Sequence, residues 1–147
     1  MIKLLGLGLI AFAFLAVDQL PSCVVGKWTV GKPYNVGQPL GLDARQEKAI
    51  IGLIIKISPH YLTVCGKDIP IKSVDVVHLT SNDFLAKYNF TPNLIGFSDA
   101  SLVEISFNKL HSTNACGGFA DPGTDILISK GHAVVEVGND YFQLLAR

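Results

Sequence analysis

No serine of this chain stands in a Gly-x-Ser-x-Gly elbow, and no two cysteines have Cys-x-x-Cys spacing. The first absence removes the usual signature of an α/β-hydrolase nucleophile. The second removes the spacing that tunes a reactive thiol. The four histidines, His60, His78, His111 and His132, fall in no His-x-x-x-His or Glu-flanked pattern. His111 and Cys116 are close in sequence, but zinc needs three or four ligands, so no metal is expected. Gly117-Gly118 follows a cysteine and precedes no helical pattern, so it is not a phosphate loop. Glu104 and Glu136 sit in strand-like stretches with apolar neighbours and are expected to face solvent. Asp121 and Asp125 bracket Pro122-Gly123, which reads as turn chemistry. No catalytic residue and no cofactor is therefore assigned, and the chain is not read as an enzyme. Net charge is zero and there is no basic run. That argues against nucleic acid and against an anionic membrane surface as partners.

What is present begins at the N-terminus. Lys3 supplies a positive charge, and Leu4 to Val17 runs without another charge until Asp18. A basic start and a short apolar run make a secretory signal peptide, since a membrane-spanning helix needs about 20 apolar residues. Residues 1–22 are read as that leader and 23–147 as one mature domain. Ala16 offers a small residue for ordinary cleavage. The alternative is Leu20-Pro21-Ser22-Cys23, which resembles the lipobox of bacterial lipoproteins and makes Cys23 the lipidated N-terminus. The leader removes one acidic and one basic residue, so the mature chain stays balanced. Three cysteines are an odd number for an exported protein. Lipidating Cys23 leaves Cys65 and Cys116 to pair in an oxidising compartment. A loop of about 52 residues closed in this way stabilises by roughly 4 kcal/mol.

Beyond the leader the hydropathy is mostly period-two. Val24 to Val30, Leu53 to Ser58, Tyr61 to Cys65, Asp68 to Thr80, Ser101 to Phe107, Thr124 to Ser129, His132 to Val137 and Tyr141 to Ala146 read as strands. Asp43 with Gln46 makes a capping box for a short helix that Gly52 ends. Ser81-Asn82-Asp83 begins a second helix, with Phe84, Leu85 and Tyr88 as its apolar face. Lys130-Gly131 and Gly138-Asn139-Asp140 supply tight hairpin corners. Connections this short force antiparallel pairing. The expected fold is mainly β: a small antiparallel barrel or strongly curved sheet with two short helices.

Gly26-Lys27-Trp28 on the first strand and Arg147 at the end of the last resemble the lipocalin and wider calycin barrels. There a Gly-x-Trp opens strand one, and a late arginine packs over the indole at the closed end. The resemblance implies that Gly26, Trp28 and Arg147 close the barrel structurally. The functional expectation is a binding protein of the bacterial periplasm or envelope, secreted or held only by a lipid anchor. Its partner would be a protein, in the manner of an inhibitor or immunity factor. The alternative is a lipocalin-like carrier of a small apolar ligand. The barrel interior discriminates the two, because inward Ile, Val, Phe and Leu leave no cup.

Overall fold

The computed structural model describes residues 20–39, 41–98 and 101–147. Most of residues 1–22, the segment expected to be a leader, including the expected cleavage position after Ala16, lies outside the described residues. Eight antiparallel strands close into a barrel in which every strand neighbours the next and the last pairs with the first. They are β1 (Gly26–Pro33), β2 (Ile54–Ile57), β3 (Tyr61–Val64), β4 (Lys67–Thr80), β5 (Ser101–Lys109), β6 (Asp125–Ser129), β7 (His132–Val137) and β8 (Asp140–Ala146). Closure between β1 and β8 sets Trp28 against Ala146 and Val30 against Leu144. A closed barrel has no free edge to aggregate.

Helix α1 (Ala44–Ile50) carries the Asp43–Gln46 capping box expected from sequence. Helix α2 (Ser81–Tyr88) is capped in the same way by Thr80 and Asp83 and ends on Asn89 in the left-handed conformation. Of the face expected for α2, Phe84 is fully buried and Tyr88 partly so, but Leu85 is exposed. Val24 belongs not to β1 but to a single 3-10 turn, Ser22–Val24, and is itself fully buried.

Two apolar cores result. The first fills the barrel, with Trp28, Ile55, Leu62, Ile105, Ile126 and Phe142 among its members. The second lies outside the barrel wall, where α2 and the segment after it bring Phe84, Phe90, Ile95 and Phe97 onto Leu102, Leu127, Val134 and Tyr141. Strands β6 and β7 are thus covered on both faces, which is why they carry consecutive apolar residues instead of strict alternation, while of β8 only Tyr141 joins the second core.

Candidate functional site

The sites expected from sequence distribute unevenly. Cys65 and Cys116 are joined in a disulfide, with Cα atoms 5.3 Å apart. The bond ties the β3–β4 corner to the long loop between β5 and β6. Cys23 is a free thiol and exposed. Gly26 adopts φ +142°, a conformation that side chains rarely reach, so a glycine before Lys27-Trp28 has a backbone reason. Trp28 is buried, and its indole N–H donates to the Val24 carbonyl at 2.8 Å.

Arg147 does not cover Trp28. Its backbone N–H donates to the Lys27 carbonyl, one step on from the Trp28–Ala146 pair. Strand side chains alternate between faces, so a residue opposite Lys27 points away from the barrel interior. Arg147 is accordingly exposed. Val24 and the turn that carries it close the indole's end of the barrel instead.

The carboxylates also depart from expectation. Glu104 and Glu136 do point away from the barrel axis, but the second core covers that face. Glu104 is buried, and Glu136 is only partly exposed. Register aligns the group. Ser106 pairs with Asp125, and Glu136 pairs with Tyr141. One step beyond the Ile126–Val135 pair, Asp125 stands opposite Glu136. Helix α2 then lays two side chains over the row. The Lys87 ammonium and the Tyr88 hydroxyl both donate to the Glu104 carboxylate. Asp125 accepts from Ser106 at 2.9 Å and from Thr124 at 3.1 Å. The Glu136 carboxylate makes no hydrogen bond or ion pair with another described residue.

These groups line an open cleft of about 630 Å³ between α2, the outer barrel wall and the loop bearing Gln38 and Pro39. That loop is held at both ends. Gln38 donates from its side chain to the Tyr88 carbonyl at 3.3 Å. The buried carboxylate of Asp140 accepts from the Gly41 and Leu42 amides at 3.0 and 3.2 Å. A side chain at position 41 would meet the Gly138 carbonyl oxygen at 1.9 Å, so only glycine fits there. Burial, reinforced by the Asp125 and Glu104 charges and only partly offset by Lys87, pushes the Glu136 carboxyl up to about 7. Burial likewise raises the Tyr88 hydroxyl, with its bond to Glu104 adding to the effect, and raises Tyr141 together with the Glu136 charge. Strongly perturbed acids gathered in a cleft mark a functional-site candidate.

Asp121, read from sequence as part of a turn, is a buried anchor. It accepts from Lys109 Nζ at 2.9 Å, Thr113 Oγ1 at 2.8 Å and the Ala115 amide at 2.7 Å. Burial pushes its carboxyl up, but these bonds and the Lys109 charge outweigh that and hold it below the ordinary range. Of the histidines, His60, His78 and His111 are exposed, while His132 lies against the Ile95 carbonyl and the Tyr34 hydroxyl. Among the described residues no group of three or more His, Cys, Asp or Glu is placed to hold a metal ion. Nor is any helix among them long and apolar enough to cross a membrane. No protein-family model, curated protein or solved structure matches this chain.

Proposed function

We propose that this is an exported envelope protein that binds another protein, as an inhibitor or immunity-type factor, and receives a basic side chain of that partner in the outer-wall cleft. The carrying observation is the contrast between the two faces of the wall. Inward positions are filled by Ile, Val, Leu, Phe and Trp side chains of the first core. The outward face holds an open cleft with three carboxylates and one ammonium. A filled interior favours protein contact over the carriage of a small apolar ligand. Lysine or arginine entering beside Glu136 and Asp125 would supply the cation that this row lacks, and charged pairs formed away from water are among the strong contacts of an interface. The disulfide supports export, since such bonds persist in oxidising compartments. The Leu20-Pro21-Ser22-Cys23 segment supports anchoring at the exposed Cys23 thiol.

The test is capture from envelope extract with the parent protein and with Asp125→Asn/Glu136→Gln, followed by native mass measurement. The expected outcome is a protein partner held by the parent, inhibited by it, and bound at least about tenfold more weakly by the double variant. A small molecule bound with no protein partner, or equal capture by both forms, overturns the proposal.

A further inference from the structure

We propose that the outer wall made by β8, β1, β2 and β3 lies against an anionic phospholipid surface. The sequence has no basic run, and an anionic membrane surface was not expected from it. Strand pairing assembles a run instead. Lys27 pairs with Lys56, and Arg147 donates its amide to Lys27 on the other side. Trp28, Ile55 and Ile57 are buried inside, so alternation turns Lys27 and Lys56 outward, and both are exposed together with Arg147.

Three cations thus stand side by side across three strands. Like charges directly opposite one another destabilise a sheet. None of the three belongs to an ion pair among the described residues. The first side-chain carboxylate along the row is Asp68, two strands beyond Lys56, and it accepts from Thr63. A row kept at a cost in stability, without internal compensation, fits a negatively charged partner.

The neighbouring positions say which kind. On one side of the cationic row are Val25 and Tyr61, and on the other Leu145 and Ile54. All four are large apolar residues that are 37–52% exposed. Leu145 and Ile54 both pair with Thr29 and so share its outward face. Aliphatic side chains and a tyrosine interspersed with long cationic stems suit the headgroup layer, where the rings and stems lie in the boundary and the charges meet phosphate. A purely polyanionic partner would leave the four apolar side chains without a role. Val25 follows Cys23 by two residues, so an acyl chain on Cys23 would enter the bilayer beside this wall. The acidic cleft belongs mainly to β5, β6 and β7, on the far side of the strand order, and stays open when this wall is covered. The inference does not depend on the cleft reading, and either can fail alone.

The test is co-sedimentation of the full chain as purified with vesicles of phosphatidylcholine alone or with 30–40 mol %, on the order of a third, phosphatidylglycerol, a content that gives a strongly negative surface. Each surface Lys or Arg contributes about fivefold to such binding, so three contribute about a hundredfold. The parent should prefer the anionic vesicles by that order, and the preference should fall in raised salt. Lys27→Gln/Lys56→Gln/Arg147→Gln should abolish it. Arg45→Gln/Lys67→Gln/Lys72→Gln, which removes as many exposed charges from outside this wall, should keep most of it. An acyl chain or leader would act alike in all three proteins, so the comparison of the two triple variants isolates the wall. Equal binding to the two vesicles by the parent, or equal loss in both triple variants, overturns the proposal. Trp28 fluorescence reports that each variant is folded.

Discussion

Glu136 is the residue at which stability and site pull in opposite directions. Its folded carboxyl titrates at about 7 because it is buried beside Asp125 and Glu104. In an unfolded chain it titrates at about 4.3. Between those values the folded state holds a proton that the unfolded state has released. Stability contributed by this group is therefore complete below about pH 4, is lost as pH rises through 7, and is flat above. Glu136→Gln should remove that slope. It should also raise stability above pH 7 by about 1–2 kcal/mol, a figure reduced for the partial exposure of the group. Urea unfolding at several pH values measures both. A variant whose pH profile matches the parent's would show that Glu136 is not the group under strain. Asp121 has the opposite sign: its depressed carboxyl adds stability that is lost only as pH falls below the ordinary carboxylate range. The two acids are chemically similar and differ in what faces them, with three donors on Asp121 and mostly carboxylates on Glu136.

At the scale of elements, α2 makes the cleft. It buries Phe84 fully and stacks Tyr88 on it with centroids 4.5 Å apart, while Phe90 meets the Phe84 ring edge-on at 5.2 Å. Phe84→Ala should cost about 3–5 kcal/mol as a large core truncation. Because the second core lies outside the barrel, the loss should appear first as faster hydrogen exchange in α2, with β1 and β8 still protected. Freed from its cover, Glu136 should titrate nearer the ordinary carboxylate range. Uniform loss of protection throughout the barrel would show that the two cores are one cooperative unit. The helix itself was legible in the sequence, from Ser81-Asn82-Asp83 and its apolar positions, and so were all eight strands to within a few residues. What the reading missed was where α2 docks. A signal existed in Ile126-Leu127-Ile128 and Ala133-Val134-Val135, consecutive apolar residues that demand cover on both faces. Taking the outer face as solvated led to Glu104 and Glu136 being read as exposed, although they share that face with Leu102 and Val134. The convergence of Glu104, Asp125 and Glu136 depends on the pairing of three strands, which no spacing along the chain encodes. Arg147 failed for a simpler reason. It is one residue out of phase with Phe142, Leu144 and Ala146, and the strand period decides which face it takes.

For the whole molecule, the two ends of the barrel are secured by different means. At one end the turn at Ser22–Val24 packs Val24 under Trp28 and satisfies the indole N–H. At the other, the Cys65–Cys116 bond joins two loops separated by 51 residues in sequence. Cross-linking acts mainly on the unfolded chain, whose freedom it restricts, so its effect grows with loop length. Cys65→Ser/Cys116→Ser should lower stability by roughly 4 kcal/mol on that account. The folded loop need not come apart, because Asp121 already ties Lys109, Thr113 and Ala115 together. The double variant should therefore keep the barrel, the cleft and the Glu136-linked fall in stability towards pH 7, displaced as a whole to lower urea. Removing the Asp121 anchor as well, by Asp121→Asn, should cost more in the cysteine-free background than in the parent. With the cross-link absent, the anchor carries a larger share of the loop's order, beside the Gln46–Gly118 bond and the packing of Phe119. Urea midpoints for the parent, the two variants and their combination form a cycle that reads this coupling directly. Strictly additive losses would mean that bond and anchor hold the loop independently.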